Sequence, residues 1–245
     1  MTAMLGMYDM PALQSANDRL WAAIRSNLND GPETLDRDSD FWEIWRDPNM
    51  VFSQTCGMPF RTQLHGTVQL VGTPDYGLPD CPAGYYRSVF VADADTTGDL
   101  AELCTGVFAY NEAVSQSGWA APTTHLKGLG LKPAKVLQSG GHALSAQAVS
   151  DGRADFAALD MLTWVLLQEH EPFAQSLRVV ELTDPTPTLP YITALGRDRT
   201  LIAAAVRAAI AELSSEDRDT LHLHGLVDIP AETYLAVPTP AAPEE

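Results

Sequence analysis

Apolar residues recur along this chain in two registers. Short apolar runs of four or five residues, bounded by turn formers, alternate with stretches where apolar positions return every three or four residues. The first pattern reads as β-strand and the second as amphipathic helix. Between residues 107 and 164 the alternation repeats three times. The run 107–111 leads into Ser115-Gln116-Ser117-Gly118, the run 135–138 into Ser139-Gly140-Gly141-His142, and the run 156–160 into a helix starting at Met161. Units of this kind predict a parallel sheet, and ligands of such sheets sit outside the carboxyl ends of the strands. The three turns are therefore expected to face one crevice. They offer hydroxyls, backbone N–H groups, one imidazole and one carboxylate, a set suited to a small polar ligand with an anionic group.

Outside this block the same reading predicts a strand over 4–8 and a helix over 11–28, with Pro11 in its first turn and Leu13, Ala16, Leu20, Ile24 and Leu28 on one face. A short aromatic helix follows over 41–45, then strands over 50–53, 67–73 and 85–91 and a short helix over 99–104. After the block come a strand over 177–182, a proline-bearing linker over 183–190, a strand over 191–195 and a helix over 199–213. A polar turn over 214–219 and a short helix over 220–223 precede the last segment. Residues 238–245, rich in proline and ending in two glutamates, are expected to be disordered. The stretches 85–91 and 183–190 read as crossings between two lobes, residues 1–87 with 184–245 forming one and 88–183 the other.

A chain of 245 residues with 45% hydrophobic content can bury a large core in one or two domains. The net charge of -17 argues against nucleic acid or an anionic membrane as partner, while leaving room for a local anion pocket. No apolar run is long enough to span a membrane. The N-terminus lacks the basic-then-apolar pattern of a signal peptide, so the expectation is either a cytoplasmic chain or a leader already removed. Cys56, Cys81 and Cys104 lack metal-ligand spacing, and His222 and His224 read as end-of-helix residues, so neither a metal nor a cofactor is expected. A Cys56–Cys81 disulfide and three free thiols both stay open.

Several residues carry candidate chemistry. The strand over 50–53 delivers Gln54-Thr55-Cys56-Gly57, which reads either as an anion cradle at a helix start or as an ordinary cap by Ser53 or Thr55. Cys56 has no base nearby in sequence and is a poor nucleophile. His142 falls in the first turn of a helix, where the dipole disfavours the imidazolium, so a neutral ring is expected. Asp160 reads equally as a cap for the next helix or as an acceptor for a ligand. Arg87 is the only basic residue among these segments, and strand alternation favours a structural role for it.

The segments Phe52-Ser53-Gln54-Thr55-Cys56-Gly57, Tyr85-Tyr86-Arg87-Ser88, Asn111 with Ser115-Gln116-Ser117-Gly118, Ser139-Gly140-Gly141-His142, and Ala154-Asp155-Phe156-Ala157-Ala158-Leu159-Asp160 share order and spacing with a known family. The chain resembles the substrate-binding proteins of phosphate, phosphite and phosphonate ABC transporters. That resemblance implies an α/β, two-lobed type II periplasmic-binding-protein fold, with mixed sheets flanked by helices and a cleft between lobes that closes by a hinge. It implies that Asn111, Ser115, Gln116, Ser117 and Gly118 hold an oxyanion with His142, and that Asp160 accepts a proton-bearing group of the ligand. Tyr8, Gln54, Thr55 and Cys56 from the other lobe, and Tyr86 at the crossing, complete the implied ligand set. Two departures bear on specificity: Gln116 interrupts the Ser/Thr run, and no second acidic residue matches one that would recognise an amino group. The resemblance further implies a periplasmic monomer that passes a small anionic solute to a permease without catalysis. A cytoplasmic enzyme using Cys56 and His142 on the same scaffold, or a ligand sensor, is the alternative.

Overall fold

The computed structural model describes residues 1–243. Twelve strands are defined among them: β1 (Thr2–Met4), β2 (Met50–Gln54), β3 (Val68–Asp75), β4 (Tyr85–Tyr86), β5 (Ser88–Asp93), β6 (Val107–Tyr110), β7 (Lys135–Gln138), β8 (Phe156–Asp160), β9 (Leu177–Leu182), β10 (Thr186–Pro187), β11 (Tyr191–Ala194) and β12 (Gly225–Val227). The chain divides into two compact units. Unit 1 comprises residues 1–85 and 187–236, and unit 2 comprises 86–186 together with the segment that begins at Val237. Each unit carries its own five-stranded sheet. Strands β4 and β10, which hold the first two passages between units, pair as a two-stranded ribbon.

In unit 1 the strand order is β1-β2-β11-β3-β12. β1 runs parallel to β2, while β11 lies antiparallel to both β2 and β3. Every residue of β2 is buried, as expected for a strand covered on both faces. Against one face stacks Trp21, from the helix Gln14–Leu28, its ring 6.1 Å from that of Phe52. Ile44, Trp45, Phe60, Leu64 and Tyr234 form the core with Met4, Met50 and Ile192. The helix Arg199–Glu212 starts where Asp198 accepts the N–H groups of Thr200 and Leu201, satisfying donors that a helix start otherwise leaves open.

Three expectations for this unit need correction, and two elements were not foreseen. The strand foreseen over 4–8 ends at Met4 and gives way to a 3-10 turn, Gly6–Tyr8. The backbone at Gly6 passes beneath the Phe41 ring, 2.8 Å from where a Cβ would stand, so the chain turns there. The polar turn over 214–219 is instead a helix, Ser215–Thr220, because Ser214 Oγ accepts the Asp217 N–H at 3.0 Å and Asp217 takes the Arg19 guanidinium, with Nε at 2.9 Å. The helix foreseen over 220–223 unwinds, with His222 at φ 49°. Strand β12 and the helix Ala231–Leu235 were not foreseen; the Tyr234 hydroxyl anchors the latter, 2.7 Å from Thr73 Oγ1 and donating to Thr188 O at 2.8 Å.

In unit 2 the order is β7-β6-β8-β5-β9. β6 is parallel to β7 and β8, as the sequence pattern predicts. The sheet is nonetheless mixed, because β5 enters antiparallel between β8 and β9. β5 and β8 are almost wholly buried; Phe90, Phe108 and Phe156 form the centre of a core shared with Trp119 and Leu126. The single strand expected over 85–91 breaks at Arg87, whose Nη1 donates to Thr183 O at 2.9 Å.

The tail also departs from expectation. The segment 237–243, expected as part of a disordered tail over 238–245, groups with unit 2 and not with the lobe formed by the rest of the C-terminal region; residues 244–245 lie outside the described residues. The Trp119 indole Nε1–H donates to Ala241 O at 2.9 Å. Trp119 is 7% exposed, and a buried N–H of this kind requires an acceptor. Cys56, Cys81 and Cys104 form no disulfide, and no helix among the described residues is long and apolar enough to cross a membrane.

Candidate functional site

Because β6, β7 and β8 run parallel, their carboxyl ends lie along one edge of unit 2. After β6 the chain passes Asn111 and reaches a five-residue π-helical turn, Gln116–Ala120, that feeds the helix Ala121–Gly128. Ser115 caps this turn, its Oγ accepting the Gly118 N–H at 3.0 Å. Ser115, Gln116 and Ser117 are all buried, so their polar groups sit in a low-dielectric setting where each must be matched.

The turn after β7 is stitched to the turn after β6. Ser139 N–H donates to Tyr110 O at 2.8 Å, and Gly140 N–H to Asn111 O at 2.9 Å. Ser139 Oγ and Ser145 Oγ lie 2.7 Å apart, tying the turn to the helix His142–Ser150. This suturing delivers His142 to the turn after β6: Ser117 Oγ and His142 Nε2 are 2.8 Å apart. Burial pushes the His142 pKa down to about 4, outweighing the nearby Ala158 backbone, which favours the proton but does not reach hydrogen-bonding geometry at Nδ1. The ring is therefore neutral at physiological pH, as its place at a helix start suggests.

Glycine is required at position 118 by space. A Cβ there would stand 1.9 Å from Asn111 Oδ1 and 3.2 Å from His142 Cε1. Asn111 Oδ1 itself is buried and accepts no hydrogen bond, an unspent acceptor beside the Ser117–His142 pair. At the end of β8, Asp160 is 2% exposed and accepts the Thr163 N–H at 3.0 Å. The cap reading of Asp160 is thus realised, and it occupies Oδ1. Ser88 stands opposite Asp160 in the antiparallel β5–β8 register, with its buried Oγ making no hydrogen bond. The edge thus brings together Asn111, Ser115, Gln116, Ser117, Gly118 and His142, with Asp160 at the neighbouring strand end.

From Ala113 to Ser150 the chain has no acidic residue, and its only lysines, Lys127, Lys132 and Lys135, fall in the same stretch. All three lysines are exposed, and Lys135 opens β7 at the end of the strand away from the turns.

The carboxyl edge of unit 1 is arranged differently. Gln54 Nε2 donates to Tyr76 OH at 2.9 Å and to Leu189 O at 3.0 Å. The Tyr8 ring meets Tyr76 edge-on, with centroids 5.4 Å apart. Thr55 N–H donates to Pro190 O at 3.1 Å, and its hydroxyl lies 3.4 Å from Cys56 O. Cys56 precedes a short helical stretch, Gly57–Pro59 continuing as the π-helical Phe60–Leu64. A cavity of about 20 Å³ lined by Tyr8, Gln54, Tyr76 and Tyr191 has room for about one water. Tyr76, which organises this edge, was not singled out by sequence; Tyr86 lies buried in β4.

Nucleophilic triads orient the base through its second nitrogen; His142 Nδ1 lies near the Ala158 backbone and reaches no hydrogen bond there. A ring with pKa of about 4 is also a weak base at neutral pH. Cys56 belongs to unit 1 and His142 to unit 2.

Two α/β units, each a mixed five-stranded sheet, define the class of type II periplasmic binding proteins. The comparisons agree. The chain aligns over 95% of its length with PhnD1 of Prochlorococcus marinus, solved in complex with methylphosphonate, covering 93% of that chain at 13% identity and a TM-score of 0.73. A binding protein component of an ABC phosphonate transporter from Pseudomonas aeruginosa aligns over 95% of this chain and 82% of its own, at 14% identity and a TM-score of 0.71. A Xanthomonas citri protein bound to chloride aligns over 95% and 92%, at 16% identity and a TM-score of 0.68. No curated protein sequence matches. Residues 52–233 match the model for the ABC transporter, phosphonate, periplasmic substrate-binding protein family, and the chain belongs to that family. Its role is that of a solute-binding protein.

Proposed function

We propose that unit 2 captures a small phosphonate or related oxyanion at the edge formed by the turns after β6, β7 and β8, for delivery to a membrane permease of the ABC class. The observation that carries this reading is the Ser117–His142 pair at 2.8 Å, held beside a Ser115-capped turn with Asn111 Oδ1 left unspent. In the tautomer where Nε2–H donates to Ser117 Oγ, the Ser117 hydroxyl is free to donate to an anion. Asn111 Oδ1 is an acceptor and suits a solute oxygen that keeps its proton; Asp160, at the neighbouring strand end, is a further candidate. Tyr8, Gln54, Thr55, Cys56 and Tyr86 stand as candidates for the organic part of the solute, Gln54 through its oxygen since its nitrogen is engaged within unit 1. Hydrogen bonds to a charged group contribute roughly 1.5–3 kcal/mol each, so three or four supply the gross energy for micromolar binding, about -8 kcal/mol, after ordering costs. Family membership supports a periplasmic location and a permease partner, and the reading takes the protein as a monomer.

Titration calorimetry with methylphosphonate, phosphite, phosphate, sulfate and acetate tests this. Methylphosphonate is expected to bind in the micromolar range, and sulfate, which carries no proton at neutral pH, at least tenfold more weakly. Ser117→Ala is expected to weaken methylphosphonate binding about tenfold. Absence of binding heat with all five solutes would refute the oxyanion reading.

A further inference from the structure

The segment 237–243 reaches unit 2 from a helix, Ala231–Leu235, that belongs to unit 1. Along it Val237, Pro240 and Pro243 are half-buried, while Pro238, Thr239, Ala241 and Ala242 are exposed. Burial therefore returns every third residue, the period of a polyproline II helix. Such a helix leaves its carbonyls free, and Pro-rich segments dock on aromatic surfaces. Here the Trp119 Nε1–H donates to Ala241 O at 2.9 Å.

Trp119 is not remote from the candidate site. It lies inside the π-helical turn Gln116–Ala120, two residues from Ser117. Its ring sits 4.9 Å from that of Tyr110. Tyr110 O accepts Ser139 N–H, so the indole abuts the residue at which the turns after β6 and β7 are joined. A contact at Trp119 thus bears on both partners of the Ser117–His142 pair.

We propose that residues 237–243 are a cis-acting strap: a Pro-rich segment that docks on Trp119 and fixes the position of the anion turn, so that solute affinity depends on residues outside the turn itself. The coupling rests on the reading of Ser115, Ser117 and His142 as the oxyanion half-site; the docking does not. Trp119 is on this view a positioning residue, acting on the solute through Ser117.

Three proteins test the strap: the chain ended after Ala236, Trp119→Phe in the full chain, and the two changes combined. The Trp119 indole N–H signal is identified in nitrogen-15 NMR spectra by its loss in Trp119→Phe. In the full chain it is expected to be protected from hydrogen exchange, and in the shortened chain to shift and lose that protection. Calorimetry with methylphosphonate is expected to show affinity about tenfold weaker for each single change, the worth of one hydrogen bond, and no further loss on combining them. An indole signal unchanged by shortening would refute docking, whatever the solute does. A changed signal with affinity within twofold of the full chain, or additive losses, would refute the coupling. If the full chain binds no oxyanion, the solute reading fails and the coupling with it, while the indole signal still decides whether the strap docks. Should the shortened chain not fold, Pro240→Gly with Pro243→Gly in the full-length protein gives the same two readouts.

Discussion

Replacing Gly118 by alanine separates packing at the anion turn from every other source of stability. The backbone there is not in the left-handed region, so alanine brings no conformational strain, only volume. The added Cβ would stand 1.9 Å from Asn111 Oδ1, 2.8 Å from Asn111 Cγ and 3.2 Å from His142 Cε1, whereas real Cβ contacts stay beyond 3.0 Å. The Asn111 amide must therefore withdraw by at least 1.1 Å, the difference between 3.0 and 1.9 Å. It has no hydrogen bond at Oδ1 to lose, so the cost is overpacking, about 1–3 kcal/mol. For a chain of this size that lowers the melting temperature by about 2–4 °C per kcal/mol. Urea and thermal unfolding of wild type, Gly118→Ala, Asn111→Ala and the double variant measure it. In the Asn111→Ala background the penalty is expected to fall below about 0.5 kcal/mol, giving a coupling of about 0.5 kcal/mol or more. Methylphosphonate affinity of Gly118→Ala is expected to drop about tenfold as Asn111 is displaced. A Gly118→Ala protein as stable as wild type, or one equally destabilised with and without Asn111, would refute the close approach.

Two further outcomes are expected. The His142 pKa is depressed in the folded chain, to about 4, so the unfolded state takes up the proton first as pH falls; its contribution is complete above the unfolded value of 6.5, declines between there and about 4, and is gone below. Unfolding free energies from urea titrations across that window are expected to fall by on the order of 3 kcal/mol from this group, and His142→Gln should flatten that part of the profile; an identical slope in the variant would contradict the assignment. Asp160→Asn keeps an oxygen for the Thr163 N–H and is expected to melt near wild type but bind methylphosphonate less tightly, whereas Asp160→Ala should lose about 1 kcal/mol of stability; equal melting losses in both would show that charge, not the cap, holds the helix start.

Much of unit 2's edge is legible before any coordinates. β8 is buried throughout and β6 nearly so, so their apolar runs are uninterrupted, and the turns that follow carry Ser, Gly, His and Asp where a strand gives way to a helix. What stays hidden is tertiary in origin. The apolar run at Met4-Leu5-Gly6-Met7-Tyr8 fits a strand, and the run itself does not show that Phe41 packs closely against Gly6 where the chain turns. That the Gln54 amide is taken by Tyr76 is hidden because Tyr76 lies 22 residues away. The helix Ser215–Thr220 was legible, since Ser214 with Asp217 three residues on is a capping pattern, but its polar composition hid it. The proline-rich end reads as unstructured because Trp119, its partner, lies 122 residues upstream.

The strand order of unit 1 constrains how the chain can be assembled. β11 is the eleventh strand to leave the ribosome, yet it fills the middle of the first sheet, between β2 and β3. All five strands of the other sheet fall within one unbroken stretch and emerge before it. Nascent β2 and β3 must therefore wait, their facing edges unpaired and open to wrong partners, until residues 191–194 arrive to lie between them.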